Sequence, residues 1–363
     1  MKIIIGVGHP KDVHTFKNLY YRLVDRGHQC LVASNDRQHN VELLRHFKMN
    51  HTCYSSHAKS LLGKMFSLVI DVCTLMKINV TFRADMFISH SSVSTGLVSF
   101  VFRKPHICIE DTFNMEQVRL SMPFTDVVLT GDYEHPSLGK KELKYPGYHE
   151  LAYLHPNVFT PDERVLKSLG VCKEEKYVIV RFVAWAATHD IGHKGMSIEN
   201  KRKLIETLSK QVKVFISSEE DLPDDLKKYQ IPIKPEEVHS IMAYASLFVG
   251  ESSTMATESA VLGVPAVYIN DSHLGYIKDL ESRGLIFSYT ESLEDQGSVI
   301  NNAIDIAKNV DKSAYKAIAE RMLKDKIDVT AFLDWFVSNY PSSKEKVSGK
   351  CFSFDGFRRY QES

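Results

Sequence analysis

The sequence predicts an α/β protein built from two doubly wound parallel sheets facing one another across a cleft, and three observations carry that prediction. Short apolar, β-branched runs alternate with helix-like stretches along the whole chain, the pattern of parallel strands covered by helices. The alternation breaks once, around Tyr145–Thr160, and then restarts. The length, 363 residues, suits two ordinary domains better than one.

In the first half the predicted strands are Lys2–Val7, Gln29–Ala33, Met86–Ser89, His106–Glu110 and Asp126–Thr130. Helices are expected between them, among others at Val13–Arg26 and Asn40–Phe47. Phe16, Leu19, Tyr20 and Leu23 fall on one helical face, and Gly27 supplies the glycine that commonly follows a helix end. The stretch Tyr145–Thr160, rich in aromatic residues and broken by Pro146, Gly147 and Pro156, reads as the connection between domains, partly packed rather than floppy. Beyond it, strands are expected at Tyr177–Val183, Val212–Ser217, Leu247–Val249, Ala266–Ile269 and Leu285–Tyr289. Helices are expected at Pro161–Leu169, Ser197–Gln211, Pro235–Ala245, Met255–Leu262 and Ser298–Lys308. From Lys312 to Tyr340 the pattern is helical, with Pro341 as its stop. The expected domains are 1–150 and 151–325, with a C-terminal helix at 326–341 packing back on the first. Residues 342–363 form a polar tail whose Phe352, Phe354 and Phe357 are available to dock.

The chain is 44% hydrophobic and 25% charged with a formal net charge of zero, which excludes a disordered or collagen-like chain. The absence of a basic excess argues against a nucleic-acid partner. Six scattered cysteines form no C-x-x-C pair and no zinc-ligand spacing, as expected in a reducing compartment. The N-terminus opens a strand and lacks a cleavage site, so a cytoplasmic location is expected. Leu61–Ile78 is the most apolar window, but Lys64, Asp71 and Lys77 interrupt it. It reads either as a half-buried helix or as a helix in peripheral contact with the inner membrane face.

In open α/β sheets ligands bind beyond the carboxyl ends of strands, so four segments that follow strands carry the chemistry. The first is Gly250-Glu-Ser-Ser-Thr-Met-Ala-Thr-Glu258. Gly250 ends a short strand, and Ser252, Ser253 and Thr254 open a helix whose N-terminus offers unpaired N–H groups to a diphosphate. Glu258, about one turn on, is placed to accept from both ribose hydroxyls. The bland reading is a serine-capped helix with a dipole-stabilising glutamate. The second segment, Arg181 to Gly195, holds His189 and His193 four apart. Gly192 and Gly195 speak against a regular helix that would present both as metal ligands. It reads either as a phosphate- and sugar-contacting loop with Arg181, His189 and Lys194 as charge partners, or as a surface loop. The third segment, Gly6 to His14, lacks the third glycine of G-x-G-x-x-G. There His9 and His14 are candidate general bases, against a capped helix start with Pro10 and Asp12 in structural roles. The fourth comprises Glu110-Asp111-Thr112 and His90-Ser91-Ser92, either acid/base groups or caps of the next helices.

The pattern Gly-[acidic]-Ser-Ser-Thr-x-x-x-Glu with the following Leu-Gly-x-Pro resembles the nucleotide-binding stretch of the GT-B superfamily. It is most similar to that of the non-hydrolysing UDP-N-acetylglucosamine 2-epimerases, which have Asp-Ser-Gly-Gly-x-x-x-Glu there. The resemblance implies a GT-B-like fold of two Rossmann-like domains, with Ser252, Ser253 and Thr254 at the diphosphate and Glu258 at the ribose. The departure is that Ser253 and Thr254 stand where that family has glycines. The resemblance also puts Ile233–His239 in the place of the loop that holds the uracil edge, against a simple strand-to-helix loop. Over Met1–Tyr340 the chain also resembles a narrower archaeal and bacterial family with Gly-His-Pro-x-x-Val-His-x-Phe and Gly-x-Ser-Ser-Thr-Met motifs. Members of that family often accompany surface-polysaccharide genes.

These features imply a metal-independent glycosyltransferase moving a sugar from a UDP-sugar to a polysaccharide or lipid-linked acceptor. A UDP-sugar 2-epimerase is the second reading and a non-catalytic nucleotide-sugar binder the third. No cofactor is expected, because the nucleotide sugar is a substrate. No D-x-D motif and no metal ligand set is evident.

Overall fold

A computed structural model describes residues 1–35, 38–54, 61–183, 195–218, 221–231, 233–272, 274–349 and 351–358. The chain forms two compact units, Met1–Val158 with Lys326–Ser363, and Phe159–Asp325.

The first unit holds β1 (Lys2–Val7), α1 (Pro10–Asp25), β2 (Gln29–Ser34), α2 (Gln38–His46), β3 (His51–Cys53), α3 (Leu61–Phe82), β4 (Met86–His90), α4 (Val93–Val101), β5 (His106–Ile109), α5 (Met115–Ser121), β6 (Val127–Gly131), β7 (Glu142–Tyr145) and α6 (Leu151–Leu154). Its strands pair in the order β3-β2-β1-β4-β5-β6-β7, all in parallel. The chain runs outward from β1 to β3 and returns to β4, so the topological switch lies between β1 and β4. Helix α1 begins three residues earlier than its apolar periodicity suggests. Pro10 fills its first turn, the His9 side chain accepts from the Lys11 amide, and the Asp12 carboxylate accepts from the His9 amide. Gly27 ends the turn at φ +82°, as its position predicts.

The second unit holds β8 (Tyr177–Phe182), α7 (Ile198–Ser209), β9 (Lys213–Ser218), α8 (Asp224–Lys227), α9 (Val238–Tyr244), β10 (Leu247–Gly250), α10 (Ser253–Val261), β11 (Ala266–Ile269), α11 (Gly275–Ser282), β12 (Ile286–Tyr289), α12 (Leu293–Asn309) and α13 (Lys312–Asp325). The strand order is β12-β11-β10-β8-β9, again parallel, with its switch between β8 and β10. Val178, Val180, Val249 and Val267 form its core with Leu204 and Ile205 of α7 and Ile300 of α12.

One expectation changes. Most of Tyr145–Thr160 is core of the first unit rather than connector: Tyr145, Tyr148 and Tyr153 are buried and α6 packs on α1. The helical stretch from Lys312 is two helices, α13 and α14 (Val329–Ser338), parted where the chain re-enters the first unit. There Lys326 pairs with Asp132 at 2.9 Å, and Asp328 caps α14 through the Ala331 amide. After α15 (Ser342–Ser348), Phe352 stacks on Trp335 while Phe354 and Phe357 pack on Phe332. No helix among the described residues is long and apolar enough to cross a membrane.

Candidate functional site

At the switch of the first sheet, β1 and β4 deliver their following residues to one place. His90, the last residue of β4, has Nδ1 3.3 Å from Asp12 Oδ1 and Nε2 2.8 Å from Asp111 Oδ1. The Lys11 ammonium bonds the other oxygen of Asp111 and lies 3.0 Å from Glu150 Oε1. Asp12 Oδ2 accepts from the Gly8 and His9 amides at 2.8 and 2.9 Å. The carboxylates are almost wholly buried, whereas the His90 side chain keeps 16% of its surface. His149 lies beside it, ring centroids 5.4 Å apart. It is buried, and neither of its ring nitrogens has a hydrogen-bond partner among the described residues.

The charges of this cluster are set against burial. Burial works to raise the carboxyl pKa of Asp12, but the hydrogen bond and charge of His90 outweigh it and leave it below the ordinary value. Burial opposes ionisation of Asp111 as well, yet the charges of Lys11 and His90 hold it well below that range. Burial disfavours the His90 cation, but Asp111 and Asp12 raise its pKa well above the usual imidazole value. For His149 burial prevails and lowers the ring to about 3, so it is neutral. Glu150 is raised by burial, with Lys11 opposing. The result is an alternating chain, Asp12–His90–Asp111–Lys11–Glu150, in which each cation is shared by two carboxyl groups.

His90, Glu110 and Asp111 offer ligand atoms within 4.8 Å of one another, but this donor set fits a metal poorly. Glu110 Oε1 accepts from the Thr112 and Phe113 amides at 2.8 and 2.7 Å, and its Oε2 accepts from the Ser91 hydroxyl. Lys11 and His90 already neutralise Asp111.

Of the predicted acid/base residues, the structure brings His90 and Asp111 into this chain of charges. His9 is exposed and caps α1 through the Lys11 amide. His14 lies on the inner face of α1, its ring 5.8 Å from both Phe47 and Tyr153. Glu110 holds its own turn. Lys11 and Glu150 were missed. In the sequence Asp12 reads only as structural, and His149 and Glu150 fall in the expected connector. The signal for the last pair was the same as for the others, a position just beyond a strand, but β7 itself was not legible.

In the second unit the switch is equally tight. Gly250 pairs with Arg181 across β10 and β8, and a Cβ on Gly250 would lie 2.6 Å from the Arg181 carbonyl oxygen. The glycine therefore serves close strand packing. Ser252 is the N-cap of α10, accepting from the Met255 amide. Ser253 and Thr254 follow in the first turn and are half-buried. Glu258 is buried, with Oε1 3.0 Å from His239 Nε2. His239 ends the Ile233–His239 segment, so two separately predicted pieces meet in one hydrogen bond. Arg181 Nη1 donates to Ser217 Oγ at 2.7 Å. Glu251, buried and not anticipated, accepts from the amides of Val183 and Met196 at 2.9 and 2.7 Å. It thereby fixes the residues flanking 184–194. His189 and Lys194, and the His189/His193 pair, lie outside the described residues.

A family profile described as Protein of unknown function (DUF354) matches residues 1–331. The chain belongs to this family. A relative of the DUF354 chain in Methanocaldococcus jannaschii, Uncharacterized protein MJ0665, is 22% identical over 281 residues, covering 74% of this chain and 81% of that protein. Among solved structures, Spinosyn Forosaminyltransferase SpnP matches with a TM-score of 0.64 at 12% identity, covering 93% of this chain and all of that one. The UDP-GlcNAc 2-epimerase from Neisseria meningitidis bound to UDP-GlcNAc matches at 0.62 and 14% identity, over 89% of this chain and 100% of that one. The glycosyltransferase VinC in complex with DTDP matches at 0.58 and 12%, over 90% and 95%. The DUF354 chain thus has the GT-B fold, and both of its switch points coincide with clusters of polar side chains.

Proposed function

We propose that the chain is a metal-independent glycosyltransferase that moves a sugar from a nucleotide-diphosphate donor, a UDP-sugar, to a polysaccharide or lipid-linked acceptor in surface-glycan synthesis in the cytoplasm. The observation that carries the reading is His90 held between Asp12 and Asp111 at the switch of the first sheet. An imidazole backed by carboxylates is a strong general base once its proton has left. In an inverting displacement the acceptor oxygen bonds the anomeric carbon as the bond to the nucleoside diphosphate breaks. The hydroxyl proton passes to neutral His90. The donor is assigned to the second unit: the N-terminus of α10 with Ser252, Ser253 and Thr254 receives the diphosphate. Glu258, oriented by His239, receives the ribose hydroxyls. Arg181, with His189 and Lys194, is assigned to the phosphate and sugar.

A UDP-sugar 2-epimerase is the second reading. It is favoured by the gathering of Asp12, Asp111 and Glu150 around Lys11 and His90, more acid–base capacity than one deprotonation needs. Incubating the chain with UDP- and TDP-sugars, with and without a membrane lipid extract, separates the two. Nucleoside diphosphate release that depends on the extract supports transfer, and a new UDP-sugar formed without acceptor supports epimerisation. Neither product under any condition refutes both readings.

A further inference from the structure

We propose that the outer face of α3 and α4 docks on an anionic membrane surface. A surface helix of a soluble domain ordinarily turns one apolar stripe inward and a polar face outward. Helix α3 is apolar on both. Its inner side gives Leu75 to a core with Ile4, Phe87 and Val98, and Val72 and Met76 pack against that core. Its outer side, at helical spacing, carries Phe66, Val69, Ile70 and Val80, exposed by 70, 60, 46 and 62%. Helix α4 packs against α3 and continues the surface with Phe100 and Val101, 62 and 54% exposed. The first unit does not leave its other helical layer bare in this way: α1 is covered by α6 and α14.

The charges around this face select the occupant. Lys77 lies within the outer stripe, and Arg83, Arg103 and Lys104 follow the C-terminal ends of α3 and α4, all exposed. Both helices run back antiparallel to a parallel sheet, so those ends lie at the same edge. The cations therefore line one rim of the apolar face. At that edge a groove of about 700 Å³ is lined by Phe100, Arg103, Lys104, Phe124 and Lys141, with Asp85 and Asp126 also contributing. On the two helices the acidic side chain is Asp71, which is half-buried. An apolar stripe with a cationic rim matches the boundary between acyl chains and anionic headgroups, and neither helix is built to cross it. The docking does not depend on which sugar chemistry the chain performs.

The test is flotation of the full chain with vesicles of phosphatidylcholine alone and of phosphatidylcholine mixed with phosphatidylglycerol. The chain should float with the mixed vesicles, and added salt should weaken the binding. Phe66→Asp with Phe100→Asp, and separately Arg103→Glu with Lys104→Glu, should each lower the partition constant by roughly tenfold or more. Circular dichroism and thermal melts of the variants should match the unsubstituted chain, which separates lost docking from lost folding. Three results overturn the proposal. One is no flotation with the mixed vesicles. Another is equal flotation of the folded variants. The third is a dimer by light scattering that the same substitutions convert to monomer, which would give the face to a second copy of the chain.

Discussion

His90 is a cation because two carboxylates hold it, and that fixes the sign of its pH behaviour. A group whose folded pKa is raised adds stability that is complete below its unfolded value, here 6.5. That stability is lost as pH climbs through the folded value. Asp12 and Asp111 are lowered from 3.8, so theirs is present above that value and lost as pH falls through the folded one. Urea unfolding should therefore show stability falling on the alkaline side of neutrality, and His90→Gln should flatten that limb. An unchanged alkaline slope in the variant would show that His90 is not the bridging cation. Catalysis runs the other way. If neutral His90 is the base, kcat/KM rises with pH through the same raised pKa, and the rise disappears in His90→Gln. Asp111→Asn leaves Lys11 and His90 short of a shared anion. Removing one partner of a buried pair costs about 3–5 kcal/mol, and the urea midpoint should fall accordingly. In the second unit Glu258→Ala should weaken UDP binding by about tenfold or more, the loss expected for hydrogen bonds to a charged group. His239→Ala should reproduce part of it by leaving the carboxylate unanchored, and calorimetry reads both. Residues at this scale were partly legible. Glu258 and Asp111 stand out because a carboxylate beyond a strand needs a reason. Lys11, His149 and Glu150 do not, because only the sheet order shows that they share a site.

The elements were legible where they are buried. Strands such as β1, β4 and β10 read as near-continuous apolar runs because both faces of a parallel sheet are covered. The strands that were not legible, His51–Cys53 and Glu142–Tyr145, are the two edges of the seven-stranded sheet. Edge strands are short and polar, and neither segment carries an apolar run to mark it. The parting of α13 from α14 falls at the expected end of the second domain, and there Lys326 pairs with Asp132 and Asp328 caps α14 through the Ala331 amide. The β10–α10 junction yields a prediction of its own. Gly250→Ala forces a methyl group against the Arg181 backbone, and overpacking of this kind costs about 1–3 kcal/mol. A thermal melt should show the loss even in the absence of nucleotide. A variant as stable as the unsubstituted chain would mean that β8 and β10 separate easily and that the glycine is there for the ligand.

At the scale of the whole chain the two units differ in continuity. Phe159–Asp325 is one uninterrupted segment, whereas the other unit is closed by residues from the far end of the sequence. Helix α14 covers α1 and α6 with Phe332, Phe336 and Val337, all fully buried. It is fastened by Arg26 to Asp334 at 2.9 Å, by Arg22 to Asp328 at 3.4 Å and by the Thr330 hydroxyl on the Ala152 carbonyl. Burying a large apolar side chain is worth about 1.5–3 kcal/mol, so losing three of them removes a large part of the few kcal/mol that keep a domain folded. The expected outcome is asymmetric. The fragment Phe159–Asp325 should fold when expressed alone, with a cooperative melt by circular dichroism. The fragment Met1–Val158 should not, and should recover a cooperative melt when Lys326–Ser363 is joined to its end by a flexible linker. If Met1–Val158 melted cooperatively without that segment, α14 would be an ornament on a finished domain rather than its closing layer. The charged cluster around His90 would then be held by the first part of the sequence alone.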